Sequence, residues 1–255
     1  QASYAFVTGC QMAHVTALAA ARHRVLADKG WSVETQGLSG SPPIRVLVGE
    51  HHETLLRALR HLGIGTDAVV QVAMHDDGTI DVAALAAELA KNPDTPTIVS
   101  LAAGDLNRGA FDPFDEVCDL AHAHGAWVHI DGAFGLWVAS SPRLRHLVKG
   151  VEKADSWATD AHKWLNVPYD SGIVFVADSA PESAIRSLTS LSAVTFSVND
   201  SPTSADRMPG HSHFLASRSR ISRISSAPYF STRYATARSL SPSSFPSPAS
   251  SSLST

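Results

Sequence analysis

Apolar runs of strand length alternate with longer helical patterns from the start of the chain to about Asp178. Short apolar runs bounded by turn residues are typical of buried strands, and their alternation with helices is the pattern of α/β units. The chain is therefore predicted to form an α/β fold with a mostly parallel sheet covered by helices. Strands are predicted at the start of the chain and at residues 44–49, 97–102, 126–131, 156–160 and 172–177.

Three helices have clear boundaries in the sequence. They are predicted at residues 11–29, 53–62 and 113–124. The first is rich in Ala and Leu and is stopped by Gly30, Gly63 stops the second, and Pro113 opens the third. In open α/β sheets the ligand binds at the edge where strands end and helices begin. Asp131, at the C-terminal end of a predicted strand, is therefore expected at a ligand site.

The character of the chain changes after Asp178. Residues 179–255 are rich in Ser, with scattered Arg and Pro, and contain no lysine. Such a composition buries too little apolar area to offset the entropy of the chain, so it predicts disorder. A shifted reading frame in a GC-rich gene would also produce it; both explanations remain open, and we assign the segment no function. At the other end, the chain starts at Gln1 inside a strand pattern, so we expect upstream sequence to be missing.

Composition narrows the set of partners. The 255 residues carry a formal net charge of -4, which gives no electrostatic reason to expect nucleic acid or an anionic membrane as a partner. Cys10 and Cys118 lie far apart and form no CxxC pair, which favours a reducing compartment. No run reaches the roughly 18 apolar residues needed to cross a bilayer. We therefore predict a cytoplasmic protein that binds a small molecule, with no nucleic-acid and no membrane partner.

Two blocks carry the strongest chemical signal: VHIDGAFG, which contains Asp131, and TDAHKWLNVPYDSG, which contains Lys163. A pyridoxal phosphate enzyme needs an amine to bind the aldehyde as an imine, and a carboxylate beside the pyridine nitrogen to keep that nitrogen protonated. Taken singly, each residue has a plainer explanation, because most lysines lie on the surface and Asp often caps a helix or forms a turn. The combination indicates pyridoxal 5'-phosphate as the cofactor.

The two blocks together resemble the group II pyridoxal-phosphate-dependent amino-acid decarboxylases, a fold-type I family of the aspartate aminotransferase superfamily. The resemblance covers about residues 4–178. It implies that residues 1–178 are a partial cofactor-binding large domain, without the N-terminal arm and the small C-terminal domain. It also implies decarboxylation of an L-amino acid and a homodimer in the full-length protein.

The resemblance assigns roles to residues by position. Lys163 would hold the cofactor as a Schiff base, and Asp131 would contact the pyridine nitrogen. His52 matches the histidine that stacks on the cofactor ring and can take part in proton transfer, although without the second block a polar residue in a turn would be the preferred explanation. These three are the predicted catalytic residues. Ala133 matches the small residue under the ring, and His162 is the neighbour of the lysine.

The phosphate site is the less specific part of the resemblance. TGCQMAHVTALAAAR resembles the turn that binds the phosphate at a helix N-terminus, so Gly9, Cys10 and Gln11 are the predicted contacts. The chain departs from commoner versions at Gln11, where a hydroxyl is lost. Three more cofactor-binding residues are predicted at the border of the site: Asp105, Asn107 and Asp160, the last acting indirectly at the phosphate end.

Alternatives to decarboxylation remain open, because the same cofactor supports other reactions. The chain could belong to another pyridoxal-phosphate-dependent lyase, to an aminotransferase-like enzyme, or to a non-catalytic fragment. Relatives use a mobile loop with a tyrosine to protonate the carbanion, and nothing in residues 179–255 matches that loop, so we expect weak or absent turnover from this polypeptide alone. No metal is predicted, since no carboxylate or thiol accompanies the paired histidines His122, His124, His211 and His213 at ligand spacing.

Overall fold

The structure is a computed structural model that describes residues 3–177. All of these residues lie in the first of the two units into which the chain divides. Within the described range the strands are β1 (Ser3–Val7), β2 (Arg45–Val48), β3 (Val69–Gln71), β4 (Thr97–Ala102), β5 (Trp127–Asp131), β6 (Ser156–Asp160) and β7 (Gly172–Val176). The α-helices are α1 (Cys10–Ala27), α2 (Val33–Gln36), α3 (Glu53–His61), α4 (Val82–Lys91) and α5 (Phe114–Ala123). Short 3₁₀ helices lie at Gly135–Ser140, Arg145–Val148 and Val151–Lys153.

The described strands form one seven-stranded sheet in the order β1-β7-β6-β5-β4-β2-β3. The pairs from β3 to β6 are all parallel, whereas β7 runs antiparallel to both β1 and β6. This confirms the predicted α/β class with a mostly parallel sheet. The register brings Ala102, Asp131 and Ala158 side by side, and Asp160 pairs with Gly172 at the start of β7. The carboxyl ends of β4, β5 and β6 therefore meet at one edge.

Both faces of the sheet are covered, so its central strands are almost continuously apolar. On one face, β2 and β4 contribute Val46 and Ile98 to a buried cluster that contains Leu18 of α1 and Leu59 of α3. On the other face, the alternate positions of the strands pack with α4 and α5, around Phe114. A fully buried leucine such as Leu59 accounts for about 2–5 kcal/mol when it is cut back to Ala. These two layers hold the sheet edge in a fixed shape.

The predicted strands and helices are present with small shifts at their ends. The first helix runs Cys10–Ala27 rather than 11–29, because the chain turns at Asp28 and Lys29 before Gly30 takes a left-handed φ of 76°. The third predicted helix is α5, and Pro113 stands just before it rather than inside it.

The sequence analysis missed β3 and α4, and also the four-residue α2 and the three 3₁₀ helices. The sequence held a signal for α4, because Asp is a common N-cap residue. In the structure Asp81 accepts hydrogen bonds from the N–H groups of Ala83 and Ala84. The strand β3 has three residues, too few to show a period.

The predictions for residues 179–255 lie outside the described residues. Among the described helices none is both long and apolar enough to cross a bilayer.

Candidate active site

A cavity of about 450 Å³ opens at the carboxyl edge of the sheet. All the residues predicted from sequence to bind the cofactor line it: Gly9, Cys10, Gln11, His52, Asp105, Asn107, Asp131, Ala133, Asp160, His162 and Lys163. They come from the ends of β5 and β6, the start of α1 and the loops after β2 and β4. The fold thus gathers residues that are far apart along the chain; Cys10 and Asp160, which form a hydrogen bond, are separated by 150 positions.

Asp131 ends β5 and has a side chain that is 19% exposed. Its Oδ1 accepts a hydrogen bond from the Ala133 N–H at 3.0 Å, and its Oδ2 lies 3.3 Å from His14 Nε2. Burial by itself would raise the pKa of this carboxyl, but the contact with His14 and the bond from Ala133 hold the pKa below its ordinary value. Asp131 is therefore ionised at neutral pH.

Behind Asp131 lies a chain of buried polar groups that the sequence analysis missed. His14 Nδ1 is 2.9 Å from His129 Nε2, and His129 Nδ1 is 2.9 Å from Ser156 Oγ. The hydroxyl of Ser156 also accepts a hydrogen bond from Trp127 Nε1 at 2.9 Å. Burial, together with the neighbouring His14, lowers the pKa of His129 to about 3, so His129 is neutral.

Sequence spacing held a signal for two of these groups. His129 lies two residues before Asp131 in β5, so both side chains project from the same face of the sheet. His14 lies four residues after Cys10 in α1, one turn further along the same helix face. These two spacings were the sequence signal that His129 and His14 lie on the same sides of their elements as Asp131 and Cys10.

Lys163 follows β6 and points its amine into the cavity. Its Nζ is 3.1 Å from Asp160 Oδ2, a salt bridge, and 4.1 Å from the centre of the Phe134 ring, a cation–π contact. Asp160 is almost fully buried, and its Oδ1 accepts a hydrogen bond of 2.6 Å from the Cys10 N–H. One carboxylate therefore ties the lysine to the beginning of α1.

The backbone N–H groups at the Gly9 turn are not all free to bind a phosphate. The Cys10 N–H, a predicted phosphate contact, already donates to Asp160. Gly172 packs so closely on the turn that a Cβ there would lie 2.6 Å from the Gly9 carbonyl carbon. A phosphate at this position has to displace Asp160 from the helix N-terminus or bind to neighbouring groups, because both are anions.

Gln11 also differs from the expectation of a simple phosphate ligand. Its Nε2 donates to the carbonyl oxygen of Thr54 at 3.2 Å. Its Oε1 is buried and accepts no hydrogen bond from any described residue. Gln11 itself lines the cavity, and an acceptor buried without a donor is unfavourable.

His52 lies at the cavity wall as the N-cap of α3. Its Nδ1 accepts a hydrogen bond from the Thr54 N–H at 3.3 Å and lies 2.9 Å from Thr54 Oγ1. The ring is exposed, and these bonds hold it at the cavity. Its predicted stacking on a cofactor ring stays a prediction.

His162 packs against Tyr169, with ring centres 4.0 Å apart and planes 28° from parallel. Its Nδ1 accepts from the Ser171 N–H at 3.2 Å, so the neutral ring carries its proton on Nε2, which faces Asp160 at 3.6 Å. His162 thus shares Asp160 with Lys163.

Asp105 and Asn107 form the outer rim. The carboxylate of Asp105 accepts backbone hydrogen bonds from Asn107, Arg108 and Ala110, so it shapes its own loop. Asn107 donates to Glu50 Oε1 at 3.1 Å. Both residues line the cavity, and the closing of the loop explains why a carboxylate stands at position 105.

One group of side chains, two at the cavity wall and one behind it, brings together atoms of the kinds that can hold a metal ion. The ligand atoms of Cys10, His14 and Asp131 lie within 4.8 Å of one another. Burial raises the pKa of the Cys10 thiol well above its ordinary value, and Asp131 adds to that effect, so the thiol is protonated. His122 instead pairs with Asp155 on the surface at 2.9 Å. The expectation of no metal stays a prediction, and the histidines at 211 and 213 lie outside the described residues.

A second, apolar pocket of about 300 Å³ adjoins the cavity. Phe134, Leu106 and Asp105 line both. The remaining walls are mostly apolar and include Leu144 and Trp164. The amine of Lys163 therefore lies near a surface suited to a hydrophobic group.

The fold and the cavity define a class of protein: fold-type I enzymes of pyridoxal phosphate. A model of the pyridoxal-dependent decarboxylase conserved domain matches residues 7–222, and the chain belongs to this family. The match extends past Asp178, beyond the range on which our resemblance rested. The predicted boundary at Asp178 stays a prediction.

Several curated relatives and solved structures are similar to this chain. Aspartate 1-decarboxylase of Aliivibrio fischeri is 33% identical over 195 residues, which are 71% of this chain and 36% of the relative. A glutamate decarboxylase-like protein of Gibberella zeae is 36% identical over 130 residues, 50% of this chain and 25% of the relative. The crystal structure of mouse CSAD has a TM-score of 0.67 and 27% identity, and the match covers 73% of this chain and 39% of that one. The chain thus spans about a quarter to two fifths of the length of these proteins.

Proposed function

We propose that this chain is part of an enzyme that decarboxylates an L-amino acid with pyridoxal 5'-phosphate. The observation that carries the proposal is the shared cavity of Lys163 and Asp131, an amine and an ionised carboxylate at one sheet edge. Family membership and the decarboxylase relatives support the same reaction.

The residues present fit this cofactor. Asp131 offers an ionised carboxylate to a protonated ring nitrogen, and Ala133 leaves room for a flat ring beside it. A cavity of about 450 Å³ lies within the ordinary range for cofactor sites.

Each group of the chain then has a physical task. When bound, the cofactor supplies an electron sink for the electrons of the broken Cα–carboxylate bond. Lys163 is the amine that would hold the cofactor, and Asp160 together with Phe134 holds its Nζ in position. Asp131 keeps a negative charge where the ring nitrogen holds its proton. His52, held at the cavity wall by Thr54, is placed to move a proton at the substrate carbon.

The experiment combines a spectrum with product analysis. Added pyridoxal phosphate should give the protein a new absorbance near the visible edge, which Lys163→Ala abolishes. Lys149→Ala is the control, because that lysine is 78% exposed and pairs with Asp115 away from the cavity. Release of carbon dioxide from an amino acid supports decarboxylation, whereas a keto acid product would favour an aminotransferase. An unchanged spectrum in Lys163→Ala would refute the assigned role of the lysine.

We also propose that the full-length protein is a cytoplasmic homodimer that pairs near the cavity mouth. Large apolar side chains lie exposed there: Leu106 is 62%, Trp164 52% and Tyr169 77% exposed. Such a patch is typical of a protein interface. Light scattering of the full-length protein tests the pairing; a monomer at micromolar concentration would contradict it, and cell fractionation tests the location.

A further inference from the structure

We propose that His14, held in place by His129 and Ser156, is a positioning residue that orients the Asp131 carboxylate and keeps it charged. The inference rests on the proposed function, since it gives Asp131 its task at the cofactor ring. No part of the resemblance assigned a role to His14 or to the groups behind it.

Both nitrogens of the His14 ring are in contact with a polar group. Nε2 lies 3.3 Å from Asp131 Oδ2, and Nδ1 lies 2.9 Å from His129 Nε2. The two rings meet edge to face, with centres 5.2 Å apart and planes at 78°. His14 and His129 are fully buried. An imidazole fixed at both ends by buried partners cannot rotate away from Asp131.

The hydrogen-bond partners decide where the protons lie. Trp127 can only donate, so Ser156 Oγ accepts from it and its own proton is free for His129 Nδ1. Neutral His129 then donates from Nε2 to His14 Nδ1, which leaves the His14 proton on Nε2, facing Asp131. If His14 is an imidazolium instead, it donates in both directions and His129 donates to Ser156. In either arrangement, His14 donates to the carboxylate.

The remaining arrangement is unfavourable. A neutral His14 with its proton on Nδ1 would turn a bare Nε2 lone pair toward an ionised carboxylate 3.3 Å away, and the donor left for that nitrogen would be the Cys10 thiol at 3.5 Å, which is a weak one. Donation from His14 Nε2 to Asp131 is therefore the favoured arrangement.

The surroundings supply no substitute for this donor among the described residues. The titratable side chains near Asp131 come from α1, from β5 itself, and from the end of β6 with the loop after it: Cys10 and His14, His129, and Asp160 with Lys163. Cys10 holds a protonated thiol 4.0 Å away, and Lys163 is paired with Asp160. Without His14 the Asp131 carboxylate would keep the bond from the Ala133 N–H and the long, weak bond from the Cys10 thiol, both on Oδ1. Burial would then raise its pKa, and the carboxylate would be neutralised more easily.

The first test needs no cofactor. Carbon-13 NMR of labelled aspartate in the protein without cofactor gives the titration midpoint of Asp131, assigned with Asp131→Asn. His14→Leu should raise that midpoint, and His14→Gln should restore much of the shift, because a glutamine amide reaches about as far as Nε2 and still donates. An identical midpoint in the wild type and in His14→Leu would overturn the inference.

The wild-type chain offers a second test, which decides the matter even if His14→Leu does not fold. Nitrogen-15 NMR of histidine distinguishes a protonated ring nitrogen from a bare one. We expect a proton on His14 Nε2 at neutral pH. A bare Nε2 would rule out donation to Asp131.

The third test measures binding of pyridoxal phosphate by fluorescence titration. His14→Leu should weaken binding by roughly tenfold to hundredfold, as expected for a lost hydrogen bond to a charged group, and His14→Gln by less. The matched control is His122→Leu, which removes a histidine that pairs with a carboxylate outside the cavity; it should bind as the wild type does. Equal binding by His14→Leu and the wild type would overturn the inference alone. A wild type that does not bind the cofactor at all would overturn the proposed function, while the two NMR results would still decide the role of His14.

Discussion

Two histidine–carboxylate pairs in this protein differ in their surroundings more than in their distance. His122 and Asp155 lie 2.9 Å apart on the surface, with side chains 38% and 29% exposed. His14 and Asp131 are further apart, at 3.3 Å, but the histidine is fully buried and the carboxylate is 19% exposed. Water screens the surface pair, whereas the buried pair acts through a low dielectric and is supported by His129. Burial of the histidine and its supporting contacts, rather than a shorter distance, distinguish the pair that we propose to act at the cofactor.

The largest effect should come from the carboxylates themselves. Asp131→Asn keeps the shape of the side chain but removes its charge, so we expect cofactor affinity to fall by roughly a hundredfold. Asp155→Asn should leave affinity unchanged. Fluorescence titration of both variants measures the difference. Equal affinities in the two variants would mean that the buried pair has no special role at the cofactor.

A second comparison is between two carboxylates that pair with a lysine: Asp160, which is buried, and Asp119, which lies on the surface. Asp160 is 4% exposed and joins Lys163 to the Cys10 N–H, whereas Asp119 pairs with Lys153 and is 68% exposed. We expect Asp160→Asn to lower the free energy of unfolding by about 1–3 kcal/mol, because the new amide has to face the lysine amine. Asp119→Asn should change it little. Urea unfolding of both variants is the measurement, and a similar small change in each would contradict this interpretation.

The pH dependence of stability tests the buried side of the comparison. The folded pKa of His129, about 3, lies below the value of a histidine in an unfolded chain, so the unfolded state binds more protons at acid pH. Stability should therefore fall as the pH drops below about 6.5 and toward 3, by about 1.4 kcal/mol per pH unit for this one group. Asp131, with its lowered pKa, adds to the loss below about pH 4.

His129→Gln should remove the histidine part of this slope. Asp112 acts in the opposite direction, because burial raises its pKa to about 6. The test therefore uses the difference in unfolding free energy between the wild type and His129→Gln, rather than the pH curve of one protein. Unfolding free energies at pH 4, 5 and 6 measure it. Parallel curves for the wild type and His129→Gln would refute a titrating His129.

The smallest effect belongs to the surface pair. His122→Leu should change the free energy of unfolding by less than about 1 kcal/mol and should leave cofactor affinity as it is. Thermal unfolding together with fluorescence titration checks both. A loss of affinity in this variant would show that the two pairs are coupled and would undo the comparison.

The fold was largely readable from the sequence because its strands are buried on both faces and appear as continuous apolar runs. The runs that became β2, β4 and β5 were recognised in this way. The strand β3 was missed because it is short, and α4 was missed although Asp81 marks its start. The antiparallel pairing of β7 with β1 was also not readable, since it joins the two ends of the described chain.

The sequence by itself determined the alternation of elements, the family and the set of residues that would line one cavity, because these depend on local periodicity and on a long contiguous motif. Only the tertiary structure decided that Asp160 takes the Cys10 N–H and that His14 stands between Asp131 and His129. Those contacts join residues more than a hundred positions apart. They depend on how the strands pair and on how α1 packs against the sheet, and no local sequence pattern encodes either.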